Sequence, residues 1–213
     1  NAARFVLMNC EDFSASGTPM PNTDAERWIL DRLQQMLRDV EKGFSDYRFD
    51  LAAQALYEFA WNEYCDWFLE LATPALNGDD AEAANSTRHT LLYVLETLLR
   101  ALHPLIPFIT EEIWHAVAPK LGIAGDSIST QAYPEFDASV MNPAAASDVE
   151  WLKAAVTQLR SIRSQMMIAP NKAVPLLLEG RAQDAGQVAR HAASLTFLAR
   201  LESITWLEGE APA

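Results

Sequence analysis

The sequence predicts a mainly α fold, an antiparallel helical bundle followed by a small α/β subdomain. Long segments in its first two thirds carry apolar residues at helical spacing, and short turns rich in Gly, Pro and Asn separate them. Towards the C-terminus, two short apolar runs flank one helical segment, which is typical of a β-α-β unit. We place the boundary near residue 145, so the predicted domains are 1–145 and 146–213.

The predicted helices of the bundle are bounded by capping residues and helix breakers. They cover residues 1–9, 24–43, 50–73, 81–102 and 107–118. Thr23 or Asp24 can cap the second helix, and Asp50 can cap the third. Pro107 suits the first turn of the fifth helix. We expect the aromatic rings of Trp28, Phe108 and Trp114 to lie in the core.

The third helix contains the sequence LYEFAWNEYCDWFLELATPAL, residues 56–76, in which aromatic side chains fall all round the helix. Such a helix either is buried on several sides or offers one side to a partner. We expect Trp61, Tyr64 and Trp67 to be mainly structural. The side that carries Asp66, Leu69 and Glu70 is the part that we expect to bind a partner.

The smaller domain is predicted as helix, strand, helix, strand. Residues 127–134 read as a short extended segment before it. The four elements are then predicted at 147–167, 173–180, 184–199 and 203–209.

The net charge of −13 at first argues against a nucleic-acid partner, because an acidic surface repels a polyanion. The charge is uneven, however. Residues 51–150 hold three Lys or Arg against fifteen Asp or Glu, whereas residues 151–213 hold seven against five. An RNA-binding surface would therefore be local, in the first fifty residues or the last sixty.

Catalytic and metal-binding signatures are missing from this sequence. It has no glycine-rich phosphate loop, no Cys-x-x-Cys pair and no Gly-x-Ser-x-Gly element. Cys10 and Cys65 are expected to be reduced thiols. Adjacent carboxylates at Glu111 and Glu112 are better explained by the start of a helix than by acid–base chemistry. We expect no catalysis, no metal site and no cofactor in this chain by itself.

Two features are candidates for RNA contact. The first is the pair Arg4–Phe5 together with the long aromatic helix, because exposed rings can stack on unpaired bases. The second is the helix at 147–167, where Arg160 and Arg163 lie three residues apart without a nearby acidic residue. These two arginines either form a solvated basic face or contact phosphate.

Four segments, in order, resemble the anticodon-binding region of bacterial valyl-tRNA synthetases, which are class I aminoacyl-tRNA synthetases. They are NAARFVLMN, ERWILDRL, the stretch from YRFD to TPAL, and LHPLIPFITEEIW. The last segment is shared with the isoleucyl and leucyl enzymes, whereas CDWFLE together with RFVLMN indicates valine. The C-terminal third also resembles the short α/β piece that follows the helical domain in these enzymes.

The resemblance implies the class Ia anticodon-binding fold and a set of site residues. Phe5 would stack on an anticodon base, and Leu69 would pack against a neighbouring base. Contacts to base edges or phosphates would come from Arg4, Asn62, Asp66 and Glu70.

The resemblance also implies a larger, cytoplasmic and monomeric protein of which this chain is a piece. That protein would ligate valine to its tRNA with ATP and Mg²⁺, and it would edit mischarged threonine. The catalytic, editing and coiled-coil domains are not in this sequence. Two alternatives stay open: the equivalent domain of an isoleucyl or leucyl enzyme, and a helical protein-interaction module with exposed aromatic side chains.

Overall fold

A computed structural model of the chain describes residues 1–180 and 182–207, without the side chains of residues 182 and 183. The chain forms two compact units that part between Ala146 and Ser147. The first is helical and the second contains a two-stranded parallel sheet, which confirms the predicted fold class. Within the described ranges, no helix has both the length and the apolar character that crossing a bilayer requires.

The first unit is built from long helices and one π-helical segment. These are α1 (Ala2–Asn9), α2 (Asp24–Ser45), α3 (Phe49–Glu58), the π segment (Phe59–Phe68), α4 (Leu69–Leu76), α5 (Ala81–Leu102) and α6 (Pro107–Val117). Helix α7 (Pro143–Gln165) begins in this unit and continues into the second.

Helix α2 begins with a reciprocal capping arrangement. Of the two predicted caps Thr23 is the one used: its hydroxyl accepts from the Glu26 amide, and the Glu26 carboxylate accepts from the Thr23 amide. That carboxylate is buried and also accepts hydrogen bonds from the hydroxyls of Ser86 (2.7 Å) and Thr87 (2.6 Å) on α5. One side chain therefore joins the start of α2 to α5.

A second buried carboxylate joins α5 to α6. Glu96 accepts a hydrogen bond from the Trp114 indole N–H (3.0 Å) and is paired with Arg100, whose Nε lies 2.8 Å away. Trp114 and Trp28 are almost fully buried, as predicted.

The prediction that Phe108 lies in the core is wrong, because its side chain is 91% exposed. Helix α6 turns Thr110, Trp114 and Val117 inward. Phe108 precedes Thr110 by two residues, which is about 200° around an α-helix, so it points away from the core.

The third predicted helix differs from the prediction at both ends. It begins at Phe49 with Arg48 as its N-cap, and Asp50 lies in the first turn, where it pairs with Arg48. It continues through the π segment and past Pro74 to Leu76. Pro74 lacks the N–H that would donate to the Glu70 carbonyl, but it lies two residues before the helix end, where little of the helix remains to be disturbed. The Thr73 hydroxyl donates to the Leu69 carbonyl (2.9 Å).

Residues 127–134 do not form the predicted extended segment. Ile128–Thr130 is a 3₁₀ turn, because the Ser127 hydroxyl accepts from the Ser129 amide (3.1 Å) and closes the chain locally.

In the second unit, β1 (Val174–Leu178) pairs in parallel with β2 (Leu201–Trp206). The predicted helix at 184–199 is divided into α8 (Ala182–Arg190) and α9 (Ala192–Leu198). The break falls at His191, which is buried, lies 3.3 Å from an Asp148 oxygen and stacks on Trp151. Residues 208–209, the predicted end of the last strand, lie outside the described residues.

Replacing Glu26 tests the link between α2 and α5. We expect Glu26→Ala to lower the free energy of unfolding by about 2–4 kcal/mol, because the buried Thr87 hydroxyl and the Thr23 amide lose their acceptor. Urea unfolding followed by helical circular dichroism measures this. Glu41→Ala, on the exposed side of the same helix, should change it by less than about 0.5 kcal/mol; equal losses would contradict the assigned role.

Candidate nucleic-acid interface

Helix α1 carries the first two predicted contact residues, Arg4 and Phe5. The Arg4 side chain is exposed and the Phe5 ring is partly exposed, whereas Val6 and Cys10 are buried. The helix therefore packs one side against the bundle and leaves the side with Arg4 in solvent.

Arg88 of α5 fixes the C-terminal end of α1. Its Nε donates to the Asn9 carbonyl (2.9 Å), and its own carbonyl accepts from the Cys10 thiol (3.8 Å). Burial raises the pKa of Cys10 to about 11, although Arg88 and Lys120 lower it, so the thiol keeps its proton and donates at neutral pH. Asn9 in turn donates from Nδ2 to the Phe5 carbonyl (2.8 Å).

The π segment carries or adjoins the other predicted contacts. A π-helix has hydrogen bonds between residues five apart and is rare, and short π turns often occur at functional sites. Here the Leu69 amide donates to the Tyr64 carbonyl, five residues back. The Tyr64 side chain is wholly buried, and its hydroxyl donates to the Leu91 carbonyl of α5 (2.9 Å). This bond fixes the widened helix against α5.

The predicted contacts on this helix are accessible to different degrees. Asn62 and Asp66 are exposed, and Leu69 and Glu70 are partly exposed. Asn62, Asp66 and Glu70 follow at intervals of four residues, so they lie along one side of the helix. Glu70 also has an interaction within the chain.

Helix α1 and the π segment meet α5 at neighbouring positions. Arg88, which binds α1, and Leu91, which binds Tyr64, are three residues apart and about one turn along α5. Burial and the Asp66 carboxylate raise the pKa of the Cys65 thiol in the π segment. The structure thus brings the helices of Phe5 and Leu69 to one region of the bundle.

The sequence reading missed two exposed aromatic side chains beside this region. Tyr57 and Trp61 are 62% and 57% exposed, and their rings stack with planes 4° apart. The expectation that Trp61 is structural is therefore wrong, whereas Tyr64 is buried as expected. Tyr57 and Trp61 are four residues apart, which is the ordinary spacing of neighbours on one side of a helix. Because aromatic residues fall all round this helix, the spacing does not tell which of its sides is exposed.

Arg160 and Arg163 have partners in the second unit. Arg160 donates to the Leu198 carbonyl (3.0 Å), and the buried Arg163 donates to the carbonyls of Lys172 (2.6 Å), Ala169 (3.1 Å) and Arg200 (3.3 Å). These bonds connect α7 to the C-terminal end of α9 and to the turn before β1. A phosphate contact by either arginine stays a prediction.

No group of three or more His, Cys, Asp or Glu residues in the described part of the chain is arranged to hold a metal ion. The region that carries Phe5 and Leu69 offers instead a partly exposed ring, an aliphatic side chain, an exposed arginine and a row of acceptor oxygens. Such a set can stack on unpaired bases and bind their edges.

The anchoring of α1 can be tested at Arg88. We expect Arg88→Ala to speed hydrogen exchange of the α1 amides about tenfold, because the Asn9 carbonyl loses a charged donor. Mass spectrometry of the peptide covering residues 2–10 measures it. Arg32→Ala, which removes the pairing of Arg32 with Glu63 (2.9 Å) between α2 and the π segment, is the matched control. Unchanged α1 exchange in Arg88→Ala would refute the anchoring role.

Comparison with known proteins identifies the family of this chain. The family model described as the anticodon-binding domain of tRNA ligase matches residues 26–178, from the first turn of α2 to the end of β1. The chain is 56% identical over 215 residues to a valine–tRNA ligase of Stenotrophomonas maltophilia (strain R551-3), covering 99% of this chain and 23% of that protein.

Two further relatives give the same result. A valine–tRNA ligase of Xanthomonas campestris pv. campestris (strain B100) is 56% identical over 217 residues, with 100% of this chain and 23% of the relative covered. A valine–tRNA ligase of Xanthomonas oryzae pv. oryzae (strain PXO99A) is 54% identical over 211 residues, with 98% of this chain and 22% of the relative covered. The chain thus spans about a quarter of the length of these relatives. It belongs to the family of anticodon-binding domains of tRNA ligases.

Proposed function

We propose that this chain reads the anticodon of valine tRNA as part of a valine–tRNA ligase. The observation that carries the proposal is the placement of two partly exposed side chains, Phe5 and Leu69. They belong to separate helical segments that α5 holds at Arg88 and Leu91. In this proposal, the Phe5 ring stacks on one anticodon base and Leu69 packs against its neighbour.

The polar side chains around them suit the edges of bases better than phosphates. Asn62, Asp66 and Glu70 present acceptor oxygens, which bind exocyclic amino groups, and Asn62 also donates. Arg4 is exposed and is the cation that we assign to phosphate or to a base edge. An acidic surface raises the electrostatic cost of RNA binding, so most of the affinity would come from the rest of the enzyme.

The proposal extends to the whole protein. Its relatives are valine–tRNA ligases, and we propose that the intact protein is a cytoplasmic enzyme of this activity that uses ATP and Mg²⁺ outside the present chain. We assign this chain to tRNA recognition and no chemical step to it. Identities of 54–56% to valine enzymes favour valine over isoleucine or leucine.

Substitutions of Phe5 in the full-length enzyme test the stacking role. Stacking of a base on an aromatic ring contributes about 1–3 kcal/mol, so Phe5→Ala should weaken tRNA binding by about 5- to 150-fold. Phe5→Leu, which keeps an apolar side chain but has no ring, should also bind weakly, whereas Phe5→Tyr should bind nearly as well as the unmodified enzyme. Filter binding and charging kinetics measure these effects, and thermal melting controls for folding. Equal affinities for all three variants would rule out stacking.

Anticodon exchange tests the specificity. The full-length enzyme should lose affinity for a valine tRNA transcript that carries an isoleucine anticodon, because the bases would no longer match the groups around Phe5 and Leu69. In Phe5→Ala the two transcripts should bind more nearly alike. A preference for the isoleucine anticodon would overturn the assignment to valine, and indifference to the anticodon would overturn the reading role.

A further inference from the structure

Seven large apolar side chains are exposed at two corners of the helical bundle. At the corner between α2 and α3 these are Tyr47 (81%), Phe49 (55%) and Leu51 (45%); at the corner between α5 and α6 they are Leu105 (44%), Ile106 (45%), Phe108 (91%) and Ile109 (53%). We call these seven residues the apolar end. Single exposed apolar side chains are common, whereas a contiguous group of them marks an interaction surface.

The two corners belong to the same end of the bundle. The Phe44 ring contacts both Phe49 (centroids 5.9 Å apart) and Tyr133 (6.2 Å). The Tyr133 hydroxyl in turn donates to the Ala101 carbonyl (3.0 Å) in the last turn of α5. Leu105 follows that turn directly, since its amide donates to the Leu102 carbonyl (2.9 Å).

The apolar end is separate from the region that carries Phe5 and Leu69. Ala101 lies ten and thirteen residues beyond Leu91 and Arg88 on α5, which corresponds to about 15–20 Å along the helix. A single enzyme can therefore use both regions at once.

Tyr47 is the most exposed member of the first corner. Its backbone is left-handed, with φ of 55°, at the position just past α2 where glycine is favoured. Its ring contacts the Phe49 ring edge-on, with centroids 6.3 Å apart, and is still 81% exposed, so most of it is open to a partner.

We propose that the apolar end is the docking face for the remainder of the same polypeptide, the part of a valine–tRNA ligase that this chain does not include. The curated relatives are about four times as long as this chain, so such a segment is tethered to it at high effective concentration. Interfaces between domains of one chain are smaller than those of obligate dimers, so a group of this size is enough for one.

RNA is a less suitable partner for the apolar end than another part of the polypeptide. The arginine at its edge, Arg48, is already paired with Asp50, and this pairing lowers the Asp50 pKa to about 2. The other side chains of the apolar end are uncharged and give phosphates no cation. The docking inference rests on the proposed function, since it takes the rest of the ligase as the partner.

Cysteine labelling of the full-length enzyme tests the docking. Leu51→Cys and Ile109→Cys place one reporter at each corner and leave Phe108 and Tyr47 in place; Met20→Cys, at a residue 87% exposed in this chain, is the control outside the apolar end. Maleimide labelling in the native enzyme is compared with that in urea by peptide mass spectrometry. We expect at least tenfold protection of both reporters and little protection of the control. Labelling of all three at the same rate would overturn the proposal.

Two further substitutions identify the anchors. Adding Tyr47→Gly or Phe108→Ser should restore fast labelling of both reporters, and Tyr47→Phe should not. Both anchor side chains are exposed, so the bundle keeps its fold. Protection that survives both substitutions would contradict the inference, as would protection that depends on enzyme concentration or appears only with tRNA.

The outcomes for docking and for anticodon reading are separable. Unprotected reporters in an enzyme whose tRNA affinity depends on Phe5 would overturn docking alone. Protected reporters in an enzyme whose affinity does not depend on Phe5 would overturn anticodon reading alone.

Discussion

The hydrogen bond from the buried Tyr64 hydroxyl to the Leu91 carbonyl is the contact on which the arrangement of this unit depends. It holds a widened helix, the π segment, against helix α5. Because Leu69 follows the π segment directly, the same bond determines where Leu69 emerges relative to α1. Arg88, one turn away on α5, sets the position of α1 in the same way. The candidate RNA-binding region is thus positioned by two polar contacts to neighbouring turns of one helix.

Helix α5 can hold its neighbours because three of its four buried polar side chains, those of Thr87, Thr90 and Glu96, have hydrogen-bond partners. The fourth, the Thr97 hydroxyl, has none among the described residues. Glu96 is enclosed by Trp114 and Arg100, and the Ser86 and Thr87 hydroxyls bind the Glu26 carboxylate. A buried carboxylate without such donors would cost several kcal/mol. With them, each one fixes the register between α5 and a neighbouring helix, which apolar contacts alone specify less sharply. The interface region therefore rests on a helix whose axial position is set by directional bonds.

Much of the fold could be predicted from the sequence because its signals are local. Thr23 with Glu26 marks the start of α2, Pro107 marks the start of α6, and the leucine spacing of α5 gives its buried side. The errors occur where distant contacts decide. Phe108 was expected in the core because aromatic residues usually are, but the inward side of α6 was set by Trp114 and its bond to Glu96.

The candidate site also depends on contacts between residues that are distant in the sequence. Phe5 and Leu69 lie in one region because Arg88 and Leu91 of α5 hold the helices that carry them. No local sequence pattern identifies these two contacts. Nor could Tyr57 and Trp61 be recognised as an exposed stack, since aromatic residues fall all round this helix and their spacing does not tell which side is buried. The sequence predicts either a solvated basic face or a phosphate contact for Arg160 and Arg163. It does not reveal their carbonyl partners Leu198 and Arg200, which lie 38 and 37 positions further along the chain.

The π segment also affects how this sequence can change in length. A π turn contains about one residue more than an α turn. Deleting one residue between Phe59 and Phe68 would let one turn of this stretch relax to regular α geometry, so the flanking helices α3 and α4 would keep roughly the same rotation relative to each other. In a regular α-helix, by contrast, the loss of one residue rotates everything beyond it by about 100°. Ala52 and Leu56 would therefore stay in the core, and the π segment should accept a single deletion that a regular α-helix would not.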